Sequence, residues 1–462
     1  MNAVISTIAV RRASRPAESP LLVVAALASV PAGLALGLGL SRLSLPLAPV
    51  VAAGAAAVAV LALALARYHA AVALGVVLLG VVVVEPAPTD AVFFVVIAVA
   101  MATGRFSVRN IPATVFGLLG AFAALNLLSA IQVADPQRAV VYSAITVYLM
   151  VLGIWLPGYL TSVGRARLLV RAYVGAAVAS AAAGVLALLG PLPAGEVLVA
   201  DGRAKALFQD PNVFGPFLIP AALIVIEELL QPRLLRSGRP AKALMLAALA
   251  LGVLFSYSRG AWLNLGVAVM VMAVVLTLRR GGGRRALVLL VVAVTVVGVA
   301  GAIVVASGSG GFLAERAGSH AYDAERFSGQ RASLRSARAY PFGAGPGQFE
   351  SLAGISAHST YARALGEQGF PGLIVLLALL VMTLGFAVGN AARGRSTFGI
   401  GSAALLAAWC GLLVSSAFVD TLHWRHLWFV AALIWTARML RARGYSSGAT
   451  PAVRRGVHAG SE

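Results

Sequence analysis

Apolar runs of membrane-spanning length recur from Leu21 to Trp435, and this feature alone excludes most folds. A hydrocarbon core about 30 Å thick takes roughly 20 apolar residues of helix to cross. Within it every backbone N–H and C=O must be bonded inside the segment, which leaves helices or closed barrels. Fourteen segments can be delimited, near 21–40, 46–66, 70–84, 91–103, 112–131, 139–160, 168–190, 212–230, 242–256, 261–278, 286–306, 370–390, 397–418 and 427–437. Only 11% of the 462 residues are charged and 60% are hydrophobic, against roughly 25% and 45–50% in soluble domains. A single-core soluble enzyme is excluded. With Cys410 as the sole cysteine, so is a secreted disulfide scaffold. The expected fold is an all-α polytopic membrane protein with about 12–14 transmembrane helices. Segments 70–84 and 91–103 are short and flank Glu85-Pro-Ala-Pro-Thr-Asp90, so they read as two spans or as a re-entrant pair. The basic amino-terminal stretch lacks a small-residue cleavage site and is not expected to be a cleaved signal.

The charges settle sidedness. A net charge of +20 would point to nucleic acid in a soluble protein, but here the basic residues fill alternate gaps between apolar runs. With the amino terminus inside, the inner gaps and tails hold 24 Lys and Arg and four acids, and the outer gaps hold twelve of each. The whole positive excess lies inside, as membrane insertion prefers, facing anionic lipid headgroups. Membrane lipids are expected partners and nucleic acid is not. The chain then divides into an inner tail (1–20), eleven spans (21–306), a large outer loop (307–369), three spans (370–437) and a basic inner tail (438–462). A bacterial cytoplasmic membrane protein with both termini in the cytoplasm is expected.

Most gaps are short, but the outer gaps 191–211 and 307–370 are long, and long loops in compact proteins carry function. In the first, Asp210-Pro-Asn212 reads as an N-cap and first helical residues. Capping leaves Arg203 and Lys205 unexplained, and a cationic pair beside a helix amino terminus is also an anion site. A second feature is the tight turn Phe255-Ser-Tyr-Ser-Arg-Gly-Ala-Trp262. Its Arg259 either snorkels to headgroups or faces a cavity with a partner. In the large loop, 314–339 reads as a surface helix that places Arg331, Arg335 and Arg338 on one face, either solvated or ligand-binding. Tyr340-Pro-Phe-Gly-Ala-Gly-Pro-Gly-Gln-Phe349 is glycine-dense enough to form an anion-binding nest. His358 and Tyr361 then fall on one helical face, followed by Arg363 and Glu367, and a histidine at the outer mouth of a span can serve as a base. His423-Trp-Arg-His426, preceded by Asp420, reads either as an interface belt or as an acceptor groove.

Taken in order, Phe208-Gln-Asp-Pro-Asn212, Ser258-Arg259-Gly260, Pro341-Phe-Gly-Ala-Gly-Pro-Gly-Gln-Phe349, His358-Ser-Thr-Tyr361 and Glu367-Gln-Gly-Phe-Pro-Gly372 resemble the O-antigen ligase and O-antigen polymerase superfamily. The resemblance spans about residues 200–385 and includes the large outer loop. It implies a GT-C-like architecture with a partly helical extracytoplasmic loop. It also implies an extracytoplasmic glycosyltransferase taking a glycan from a polyprenyl (undecaprenyl) diphosphate carrier to an acceptor on a lipid, protein or second glycan. By position, Arg259 would contact the diphosphate and His358 would activate the acceptor hydroxyl. Arg203 is next among diphosphate ligands. Lys205, Asn212, Tyr361 and one of Arg326, Arg331, Arg335 or Arg338 would complete the substrate site.

Guanidinium groups suit such a donor because charge builds on phosphate as the glycosidic bond breaks, and arginine meets it bidentately without losing its proton. The first outer loop, Ser41-Arg-Leu-Ser-Leu-Pro46, carries no acid, so neither a metal nor a cofactor is expected. The competing reading is a flippase of lipid-linked oligosaccharide. That would require polar residues at mid-membrane, where segments 46–66, 70–84 and 286–306 are almost purely apolar.

Overall fold

The computed structural model describes residues 47–442 apart from positions 191 and 194 and most of 280–320. The expected spans 21–40 and 286–306, the first part of the outer loop and the tail beyond residue 442 lie outside the described residues. The other twelve expected segments each carry a helix. The chain divides into two compact units, Met1–Ala71 and Val72–Glu462. The first contains α1 (Leu47–Ala66) and the start of α2 (Tyr68–Val77). Everything that follows concerns the second.

In that unit α3 (Pro88–Ala102), α4 (Ala113–Ser129), α5 (Pro136–Tyr159) and α6 (Val163–Leu188) precede a two-stranded hairpin, β1 (Val199–Ala200) and β2 (Arg203–Ala204). Next come α7 (Pro211–Leu230), α8 (Arg239–Phe255) and α9 (Arg259–Leu278). Beyond the undescribed stretch lie α10 (Ala321–Ala339), α11 (Phe349–Ala353), α12 (Thr360–Ala392), α13 (Ser402–Ser415) and α14 (Arg425–Ala442). Helices α5, α6, α7, α9 and α12 are long and apolar enough to cross a bilayer. Segment 70–84 shrinks to the ten residues of α2 plus one 3-10 turn, and segment 91–103 becomes the 15 residues of α3. At 1.5 Å per residue neither reaches the roughly 30 Å of a hydrocarbon core.

Helix starts follow side-chain chemistry. Asp135, Ser162, Asp210, Ser258 and Ser359 each accept a backbone N–H two or three residues on, the ordinary N-cap bond. Pro136 and Pro211 sit at the first helical position, where a missing N–H costs nothing. Helix α7 is buried along most of its length and accordingly central, flanked by α6, α8, α9 and α13. The ion pairs respect the sidedness read from charge. Arg138–Glu350, Arg363–Asp420 and Arg425 with Glu85 and Asp90 join residues of outer gaps. Lys242–Glu228 and Arg279–Glu227 join residues of inner ones.

Helix α12 is broken at Gly369 (φ 69°, ψ −167°), and the break explains the glycine-dense stretch. In an unbroken helix Phe370 N–H would bond the Gly366 carbonyl, and Pro371 has no N–H to offer Glu367. Both carbonyls are taken from outside: Ala344 N–H donates to Gly366 O at 3.0 Å and Gly345 N–H to Glu367 O at 2.9 Å. Phe370 N–H in return donates to Pro341 O at 3.1 Å. The expected anion nest is therefore corrected. These amides patch a helix break because orphaned backbone groups near a membrane are costly. Gly343 and Gly345 take φ of 94° and 103°, and a Cβ at Gly343 would run into the Glu367 carbonyl. Gly343→Ala should cost about 1–3 kcal/mol, read as a lower unfolding midpoint in detergent. Gly354→Asn, at φ 65° in open space, should be nearly silent because asparagine tolerates that backbone.

Candidate active site

The sequence motifs meet at one turn, residues 413–423 between α13 and α14. Ser359 Oγ donates to Ser416 O at 3.2 Å and Thr360 N–H to the same carbonyl at 2.9 Å. Thr360 Oγ1 reaches Val419 O and Asp420 Oδ1, both at 3.3 Å, and accepts from Thr421 N–H at 2.7 Å. Tyr361 Oη donates to Leu413 O at 2.8 Å. From the other side, Asn264 Nδ2 on α9 donates to Ser415 Oγ at 2.9 Å, and Gly260 faces Val419. Gln330 Nε2 on α10 donates to Ala417 O at 3.1 Å. The Ser258-Arg259-Gly260 turn, the His358–Tyr361 stretch and the loop helix thus flank the same ten or so residues.

The first motif is tied in through Arg203. Its Nε donates to Ser256 O and its Nη2 to Asn212 Oδ1, both at 3.0 Å. Asp210 Oδ1 accepts from Asn212 N–H at 2.8 Å, so the capping reading of Asp210 holds. Arg203 thereby joins the opening turn of α7 to the turn that presents Arg259. Arg259 itself is the first residue of α9, half-buried, where its charge adds to a helix amino terminus.

Behind the turn lies a buried charge network that sequence reasoning did not assemble. Arg363, 8% exposed, donates to Glu350 Oε1 at 2.7 Å and pairs with Asp420 Oδ2 at 3.0 Å and Glu367 Oε1 at 3.9 Å. Arg138 takes the other Glu350 oxygen at 3.0 Å. Both guanidinium groups lie 5.5 Å from the centre of the Tyr142 ring, a cation–π distance. His423 packs against that ring and shares a 3.0 Å hydrogen bond with Thr146. Burial pushes the Asp420 carboxyl up, but Arg363 and His423 outweigh it and hold it below the usual carboxylate range. Burial pushes the His423 imidazole below its ordinary range despite the pull of Asp420. The sequence clue was the even balance of acids and bases in the outer gaps, which is what pairing leaves.

Several expectations are revised. His358 and Tyr361 do not share a helical face. Ser359 caps α12, so His358 lies outside the helix, half-buried and at φ 45°. Tyr361 spends its hydroxyl on Leu413 O. The loop helix is described from Ala321, with 312–320 and the Arg326 side chain outside the described residues. Gly329, Ser333 and Ala337 form its buried face, which leaves Arg331, Arg335 and Arg338 exposed and without a hydrogen bond or ion pair among the described residues. Lys205 is half-buried, and its side chain likewise has no partner among them. Arg425 is neither belt nor groove: Glu85 grips it at 2.9 and 2.7 Å, and Asp90 takes Nε at 2.9 Å. It staples the 85–90 turn to α14. Among the described residues no group of three or more His, Cys, Asp or Glu could hold a metal ion.

No curated protein matches the chain. Residues 244–377 match the family model described as O-antigen ligase. That stretch includes Arg259, the glycine-dense patch, His358 and Arg363, but neither the Arg203–Asn212 pair nor the 413–423 turn. With its apolar helices the chain is a multi-pass membrane protein, and over residues 244–377 it is similar to the O-antigen ligase family of glycan-transferring membrane proteins.

Proposed function

We propose that the chain transfers a glycan from a polyprenyl diphosphate carrier to an acceptor hydroxyl at the outer face of the bacterial cytoplasmic membrane, with inversion and without a metal. What carries this reading is the meeting of the Arg259 turn and the His358–Tyr361 stretch on the 413–423 turn. Arg259, at a helix amino terminus, binds the diphosphate, and Arg203 holds that turn in place and adds its charge beside the same anion. The acceptor oxygen attacks the anomeric carbon as the bond to diphosphate breaks. The electron pair leaves on the phosphate oxygen, where fixed guanidinium charge meets it. His358 takes the proton from the acceptor. Attack opposite the leaving group inverts the anomeric carbon.

The exposed Arg331, Arg335 and Arg338 lie outside this chemistry, on the helix that touches the turn through Gln330. They suit a role in gathering the anionic donor. Replacing all three with alanine should raise KM for donor severalfold and weaken its salt dependence, with kcat within about twofold.

The test is glycan transfer by the purified chain with a polyprenyl diphosphate-linked donor, with and without chelator. Chelator-insensitive transfer supports the reading, and transfer abolished by chelator overturns the metal-free part. Donor moving across vesicles without transfer would establish a flippase instead.

A further inference from the structure

A second cationic feature lies at the opposite end of α12 from the 413–423 turn, the end that the charge asymmetry places in the cytoplasm. A cleft of about 380 Å³ opens between the last turns of α12 and of α14. Gly385, Phe386 and Gly389 line it together with Arg393, Arg395 and Arg438. Among the described residues no acid lines it. Arg438 lies 5.5 Å from the centre of the Phe386 ring, and Arg393 spends one donor on Gly389 O at 3.1 Å. Asn390 Nδ2 donates to Ile434 O at 3.1 Å, which ties the two helices together behind the cleft. A Cβ built on Gly385 would meet nothing within 4 Å, so the helix is open at that residue, whereas one on Gly389 would touch the Arg393 guanidinium.

Arginine's fork matches phosphate oxygens, and Arg393 and Arg438 bring two such forks to one opening. Free phosphate would satisfy the arginines but has no use for the apolar part of the lining. A lipid satisfies both. We propose that this cleft binds an anionic phospholipid of the inner leaflet, with its phosphate between Arg393 and Arg438 and an acyl chain over the open face at Gly385. The site lies at the far end of α12 from the proposed chemistry and goes beyond the transfer reaction.

The test is native mass spectrometry of the full purified chain in neutral detergent with dioleoyl phosphatidylglycerol, dioleoyl phosphatidylcholine or inorganic phosphate. Phosphatidylglycerol should be retained about tenfold better than phosphatidylcholine, and Arg393→Gln with Arg438→Gln should abolish the preference. Gly385→Leu fills the open face without altering charge and should also weaken retention, while its unfolding midpoint stays at the wild-type value. Equal retention of the two lipids, or retention unchanged in the double variant, overturns the proposal. So does competition by millimolar inorganic phosphate together with normal lipid retention by Gly385→Leu, which would make the cleft a free-phosphate site.

Discussion

His358→Asn should lower the rate of glycan transfer about 10²- to 10⁴-fold, the usual contribution of a positioned general base. Asparagine is the informative replacement because His358 holds a left-handed backbone at φ 45°, which asparagine adopts readily and alanine does not. The helix start is capped by Ser359, not by His358, so the variant should keep the wild-type unfolding midpoint. Loss of rate then reports the imidazole and not the turn. Arg259→Ala should cost about 10²- to 10³-fold, as for one preorganised donor on a developing anion. Arg259→Lys should recover only part, since an ammonium lacks the bidentate fork. Initial rates in reconstituted vesicles decide. Transfer within threefold of wild type in His358→Asn would remove the base from His358 and return the acceptor's proton to water or another group.

The helices were legible in the sequence because they rest on composition averaged over many residues. Twelve expected segments carry helices, and each ion pair described above joins residues assigned to one side. Capping at Asp210 was legible too, because it depends on three adjacent residues. What could not be read was pairing at long range. Arg425 belongs with Glu85 and Asp90, about 340 positions away, and Gln348 exchanges both of its amide groups with Asp135, 213 positions away. Nothing local distinguishes such an arginine from one that snorkels. The glycine-dense stretch shows the same limit differently. Its φ values were predictable from glycine, but whether its amides face an anion or a broken helix depends on Gly369 and Pro371, some 25 residues on.

Removing the Arg363 guanidinium should destabilise the protein by about 3–5 kcal/mol, because it strands buried carboxylates without a counter-charge. Three acids converge on it: Glu350, Glu367 and Asp420. Among the described residues only Glu350 has a second arginine, Arg138. Arg363→Lys should recover little, since one ammonium cannot reach three carboxylates set around a planar fork. Asp420→Asn should cost less than Arg363→Ala, because two acids still neutralise the arginine. Its mark is in the pH dependence. The folded-state pKa of Asp420 is depressed, so its contribution is fully present above the ordinary carboxylate pKa near 3.9 and is lost as pH falls through the folded value. Unfolding midpoints in detergent should therefore separate wild type from Asp420→Asn at pH 7 and bring them together toward pH 3. A constant gap across that range would mean that Asp420 acts through packing and not through its charge. A midpoint for Arg363→Ala within a degree of wild type would mean that the network is solvated and carries no part of the fold. The outer turn would then need another account of what holds it against His358 and Arg259.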